Sequence, residues 1–220
     1  DGTNVSVWTN QGGNTNSFNQ TTGNEQPILN LIGPNNQSEL NFDGTNDFFD
    51  LDNNSDLNSG GPWNERSFVL VFTTGIDVTT RQVLYEEGAG VRGLNIYIEG
   101  GNLFFSGFNE PNDGIGSPWG TPSIEQISTS ITSSTSYILT VVYDQDGGDN
   151  IAGSFTGYLN NASFGTNNNI GIFYAHSGDI NLAGNENNLY PSGSGTDLFP
   201  FKGTISEYII YNRAINNSER

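Results

Sequence analysis

Short apolar runs recur along the chain, separated by Gly, Asn and Asp turns: "VSVW", "PILNLI", "ELNFDG", "DFFDLD", "SFVLVFTT", "QVLYEE", "LNIYIE", "NLFFSG", "YILTVVYD", "GSFTGYLN", "DINLAG" and "GTISEYIIYN". Some alternate apolar with polar positions and others are continuous, but none keeps a helical period over three turns. Runs of this length at this spacing predict an all-β protein, an antiparallel two-sheet β-sandwich or jelly roll. The polar stretch "TPSIEQISTSITSSTS" reads as a loop with a short strand. Only the closing "NNSER" reads as helical, with Asn217 or Ser218 as its N-cap. No composition shift divides the chain, so residues 1–212 are read as one domain and residues 213–220 as the start of a C-terminal linker or helix.

The stretch from Arg81 to Asn109 predicts three strands and two glycine turns, and its register sorts side chains onto two faces. A three-residue loop at Gly88–Gly90 places Glu86 opposite Arg92, Leu84 opposite Leu94 and Gln82 opposite Ile96. A two-residue turn at Gly100–Gly101 places Tyr97 opposite Phe104, Ile96 opposite Phe105 and Asn95 opposite Ser106. One face then holds Leu84, Leu94, Ile96, Ile98, Leu103 and Phe105, which is core. The other holds Arg81, Tyr85, Asn95, Tyr97, Phe104, Ser106 and Phe108. Rings interleaved with amide, hydroxyl and guanidinium groups suit a polyhydroxylated ligand, because rings cover the CH faces of a sugar while polar groups bond its hydroxyls. The alternative is that both faces are buried between sheets and loops. Glu86 with Arg92 reads as a structural cross-strand pair.

Charge narrows the partners. Asp+Glu number 24 against Lys+Arg 6, a formal net charge of -18, which argues against nucleic acid and against an anionic membrane surface. No apolar run approaches the ~20 residues of a membrane helix, so no membrane insertion is expected. The chain holds neither Met nor Cys and shows no leader. It is expected to be a module of a larger multidomain protein, monomeric when isolated.

"ELNFDGTNDFFDL" near the start and "FKGTISEYIIYNRAINNSER" at the end, with "SFVLVFTTGIDVTTRQVLYEEGAGVRGLNIYI" between them, resemble the laminin-G-like, concanavalin A-like jelly-roll lectin domains of secreted bacterial proteins, in particular those of marine Bacteroidetes. The resemblance spans essentially the whole chain and implies that the terminal strands bring Phe42–Asp47 and Ile205–Tyr211 together. It also implies a secreted or cell-surface location and glycan binding or adhesion, often with structural calcium. Catalytic members of the superfold carry a Glu-x-Asp-x-Glu triplet that this chain lacks.

The candidate chemistry agrees with a non-catalytic reading. Hydrolysis of a glycoside needs two carboxylates flanking one bond, whereas Glu86 and Glu87 fall on opposite faces of a strand and Glu99 and Glu207 have no partner in the sequence. His176 stands in no nucleophile or metal motif. Calcium takes 6–8 oxygen ligands. "DQDGGD", Asp144 to Asp149, reads as a hairpin turn, but a carboxylate within "TISEYIIY" is costly to bury unless paired or metal-bound. Asp43, Asp47 and Glu207 are the expected ligands of a structural calcium. Further ligand contacts are expected from loops, at Trp119 above Trp63, and at Tyr174 and His176. The resulting expectation is a carbohydrate-binding module for a neutral or weakly charged polysaccharide, with an adhesion or spacer module as the alternative.

Overall fold

The computed structural model describes residues 2–13, 16–33, 36–109, 124–145, 153–184 and 198–220. In chain order the strands are β1 (Thr3–Asn4), β2 (Val7–Trp8), β3 (Phe18–Asn19), β4 (Ile28–Asn30), β5 (Glu39–Asp43), β6 (Phe49–Leu51), β7 (Glu65–Thr74) and β8 (Gln82–Gly88). They continue with β9 (Arg92–Glu99), β10 (Asn102–Asn109), β11 (Ile124–Ser130), β12 (Ser136–Asp144), β13 (Gly153–Leu159), β14 (Ala162–Ile170), β15 (Ile180–Leu182) and β16 (Lys202–Tyr211). Two eight-stranded sheets result, ordered β1-β4-β5-β16-β7-β12-β13-β14 and β11-β10-β9-β8-β15-β6-β3-β2. Every paired strand is antiparallel. Among the described residues there is no α-helix, and "NNSER" forms a turn.

Alternation along the longest runs explains the layering. In β7, Phe68, Leu70 and Phe72 are buried while Val69, Val71 and Thr73 between them are half-buried, the period of a strand with one face inward. Leu139, Val141 and Tyr143 of β12 face the same way. From the second sheet they meet Ile96, Ile98, Leu103 and Phe105. Aromatic pairs join the layers, with Phe68 and Phe105 centroids 5.4 Å apart and Phe42 edge-on to Phe49 at 6.2 Å. Each large apolar side chain buried in this way contributes about 1.5–3 kcal/mol.

The terminal strands β5 and β16 are neighbours, as the resemblance implies, but it is Lys202–Ile205 and not Ile205–Tyr211 that meets β5. β16 lies against β5 with Lys202 opposite Asp43, Gly203 opposite Phe42 and Ile205 opposite Leu40. On its other edge β16 pairs with β7 from Gly203 to Tyr211, through a register shift between Ile205 and Glu207, so that past Ile205 β7 is its one strand partner among the described residues. The polar stretch expected to be mainly loop contains the seven-residue edge strand β11. Its Ile127 points inward opposite Phe105, while Gln126 and Ser128 point out.

Candidate functional site

The β9–β10 hairpin has the predicted register, with Tyr97 opposite Phe104, Ile96 opposite Phe105 and Asn95 opposite Ser106. Gly100 and Gly101 both sit at positive φ, 58° and 79°, as the tight hairpin turn demands. The β8–β9 register differs from the expectation. Glu86 lies opposite Asn95, Tyr85 opposite Ile96 and Gln82 opposite Ile98, with a register shift between Val83 and Tyr85. The chain turns over residues 89–91 rather than at Gly88–Gly90, and Ala89 N donates to Arg92 O. Leu84 is the extra residue of a bulge, and a bulge reverses the facing of the residues beyond it.

That register corrects two expectations. Tyr85 faces the core, its hydroxyl donating to Glu87 Oε2 at 2.7 Å, and burial pushes its phenol well above the usual tyrosine range. Glu86 and Arg92 are not cross-strand partners: Asn95 stands opposite Glu86, and Arg92 Nη1 donates to Ala175 O at 2.6 Å.

The outer face of the second sheet carries a continuous polar row. Gln126, Ser106, Asn95, Glu86, Asn181, Asp50 and Asn19 succeed one another as direct cross-strand partners from β11 to β3. Ser106 Oγ donates to Asn95 Oδ1, and Asn181 Nδ2 donates to Asp50 Oδ1 at 3.3 Å. Next to it, Tyr97 and Phe104 stack with centroids 4.7 Å apart and ring planes 8° from parallel. Burial divides this face. Glu86, Asn95, Ser106 and Phe108 are fully buried, so the centre of the row is not an open groove. Its β9–β10–β11 margin is accessible: Phe104 and Asn102 are half-buried, and Gln126, Ser128 and Ser130 are exposed. Tyr97, 7 % exposed, lies beneath, its hydroxyl 3.4 Å from Gln126 Oε1 and its phenol pushed up to about 12 by burial. Arg81 closes the margin in a two-bond contact with Glu99, Nε to Oε1 at 3.2 Å and Nη2 to Oε2 at 3.1 Å.

Arg81, Tyr97 and Phe104 are thus brought together, with Asn95 and Phe108 in the same face but under cover. The sequence reading missed Gln126, Ser128 and Ser130. The alternation "QISTS" around Ile127 was the signal that would have placed them on a strand.

The loop residues lie elsewhere. Trp119 is outside the described residues, as is most of "DQDGGD". Trp63 caps the core, its centroid 5.8 Å from that of Phe173 and its ring face covered by the Arg66 guanidinium at 3.8 Å. Tyr174 is half-buried at the same end. His176 points inward, with Nδ1 against Tyr174 O at 2.9 Å and Nε2 3.9 Å from Glu87 Oε1, so it presents no ring to a surface ligand.

The expected calcium ligands do not converge. Asp47 Oδ2 accepts from Asp43 N at 2.9 Å, and Asp43 Oδ1 accepts from Thr45 N at 2.7 Å. These two bonds close the turn after β5, with burial raising the Asp47 carboxyl. Glu207 is exposed and stands opposite Val71, well along β16 from Lys202, the partner of Asp43. Exposure removes the desolvation cost that had argued for a cation. Among the described residues no three His, Cys, Asp or Glu side chains form a metal-holding group. Two shallow depressions, both lined by Asn41 and Thr204, lie on the other sheet, away from this face.

No family model matches the chain, and no curated protein is similar to it. Solved structures are. The binding domain of Paraclostridial Mosquitocidal Protein 1 superposes with a TM-score of 0.66 at 16% identity over 99% of this chain and 49% of that one. The botulinum neurotoxin serotype G binding domain gives 0.65 at 12% identity over 95% and 46%. The chain spans about half the length of these domains. The CBM40 of Ruminococcus gnavus IT-sialidase, bound to α2,3-sialyllactose, gives 0.51 at 16% identity over 72% and 81%. At these identities the likeness establishes the fold alone, a two-sheet antiparallel β-sandwich.

Proposed function

We propose that the chain is a carbohydrate-binding module whose ligand lies along the β9–β10–β11 margin. The observation that carries this reading is the Tyr97–Phe104 stack set beside a row of amides and hydroxyls at an accessible sheet edge. Phe104 offers the CH face of a sugar ring a flat surface, while Gln126, Ser128, Ser130 and Asn102 supply donors and acceptors. The neighbours in structure are binding domains, one of them holding a sialylated sugar, and that supports the same reading. The local cation Arg81 is already engaged by Glu99, which together with the net charge of -18 favours neutral or weakly charged polysaccharide over anionic chains.

The module is read as non-catalytic because Glu86 faces out and Glu87 faces in from the same strand, which cannot place them across one glycosidic bond. A secreted or surface location, a larger parent protein and kinship with laminin-G-like domains belong to this proposal too. Phe104→Ala, with Tyr97→Ala as a second variant, is expected to weaken binding on a glycan array run with and without calcium. The expected loss is about 1–3 kcal/mol in titration calorimetry, with the melting temperature of Phe104→Ala close to wild type. The full burial of Asn95, Ser106 and Phe108 favours the spacer reading as the alternative. An array on which the wild type binds nothing decides for it.

A further inference from the structure

Inside the sandwich, away from the margin, five elements bring polar groups to one point. Arg66 comes from β7, Tyr85 and Glu87 from β8, Tyr208 from β16, Arg92 from β9, and His176 from the segment between β14 and β15. Arg66 and Glu87 are fully buried, and the His176 side chain is 2 % exposed. Arg66 Nη1 stands 3.7 Å from Glu87 Oε1, and His176 Nε2 stands 3.9 Å from the same oxygen. Both separations exceed a hydrogen bond, yet Arg66 Nη1 and His176 Nε2 find no hydrogen-bonding partner among the described residues.

The remaining contacts fix the direction of each group. Arg66 Nη2 is spent on Asp56 O at 2.7 Å. Tyr85 donates to Glu87 Oε2, leaving Oε1 turned to the other two residues. The carbonyl of Tyr174 accepts from His176 Nδ1, so Nε2 of the neutral ring is an acceptor. One donor, Arg66 Nη1, and one acceptor, His176 Nε2, therefore each stand 3.7–3.9 Å from the acceptor Glu87 Oε1, too far for a direct bond and within reach of a bridging molecule.

We propose that the core holds one ordered water here, accepting from Arg66 Nη1 and donating to Glu87 Oε1 and His176 Nε2, and that this water links the protonation of Glu87 to the environment of His176. A proton taken up at Oε1 reverses the Glu87–water bond, and the reorientation is felt at Nε2. Burial pushes the Glu87 carboxyl up to about 7 against the pull of Arg66 and Tyr85, so the reversal falls near neutrality. Burial holds the imidazole down at about 4, with Arg66 and Arg92 adding to it, so the ring stays neutral while Glu87 titrates. The segment that carries Tyr174 is bonded to this ring, which gives the end of the sandwich a proton-dependent contact.

The chain has one histidine, so nitrogen-resolved NMR reads this ring without overlap. The expected result is a neutral ring protonated at Nδ1 down to about pH 5, with a small shift change at Nε2 near neutral pH that disappears in Glu87→Gln. A histidine that titrates near its ordinary value, or a neutral-pH inflection that persists in Glu87→Gln, overturns the linkage. The water is tested on the wild type, so it does not depend on the variant folding. High-resolution density within hydrogen-bond distance of Arg66 Nη1, Glu87 Oε1 and His176 Nε2 supports it. Collapse of the two gaps into direct contacts overturns it.

Discussion

A guanidinium and a carboxylate taken out of water each forfeit several kcal/mol, and their attraction returns that only when the geometry is close. Arg66 and Glu87 meet this cost with the Trp63 ring face, the Asp56 carbonyl and the Tyr85 hydroxyl. The parity of β7 places the arginine: Arg66 shares the inward face with Phe68, Leu70 and Phe72, and Thr74 ends that face at the far end of the strand. Glu87 and His176 also set opposing pH slopes. The native Glu87 keeps, from about pH 4.5 to 7, a proton that the unfolded chain has released, so its contribution to stability falls as pH rises through that window. The unfolded chain carries, from about pH 6.5 down to 4, a proton on histidine that native His176 refuses, so this contribution rises with pH. Each slope is about 1.4 kcal/mol per pH unit where it is fully developed, and the two offset each other over most of the range. Relative to wild type, chemical denaturation of Glu87→Gln should therefore show stability climbing with pH between 4.5 and 6.5. His176→Gln should show it declining. Parallel profiles in the three proteins would refute the assignment.

At the scale of elements, legibility followed turn chemistry. The β9–β10 register was readable because Gly100 and Gly101 occupy positive φ in a two-residue turn, a local rule with one outcome. The β8–β9 register was not, because the bulge at Leu84 is set by what β8 meets on its other side. There Leu182 pairs with Tyr85 and Ala183 N bonds Leu84 O. Partners drawn from that far along the chain leave no mark in the "QVLYEE" stretch. The outer face of β9 and β10 was thus legible residue by residue, whereas Tyr85 and the Glu86–Arg92 register were assigned wrongly. The burial of Asn95 and Phe108 depends on tertiary cover that no strand period encodes. The same end of the sandwich contains a close approach that alternation does not announce. Gly178 sits at φ +123°, and a Cβ placed there would come 2.0 Å from Gly88 O. Gly178→Ala is expected to cost at least about 1–3 kcal/mol in denaturant unfolding, and to disturb the Tyr174–His176 segment before the β9–β10–β11 margin in hydrogen exchange.

Across the whole molecule the two sheets are stitched along one side, where Asn167 Nδ2 on β14 donates to Glu125 Oε2 and to Gln126 O on β11. The last strand, β16, is held between β5 and β7 in the interior of its sheet, while the first strands, β1, β2 and β3, are two-residue pairs at the margins. That difference has a mechanical meaning. Tension applied between residue 2 and residue 220 would reach β1 through two paired positions, Thr3 with Leu29 and Asn4 with Ile28, which part a few hydrogen bonds at a time. At the other end it would meet β16, bonded to β7 from Gly203 to Tyr211 and on its other edge to β5 from Lys202 to Ile205. Single-molecule extension should release a short length of the amino-terminal segment at low force, followed by one larger rupture when β16 leaves its sheet. Between the two events the Phe104 margin, carried on the other sheet, would remain assembled, so a ligand held there could stay bound while the chain is under load.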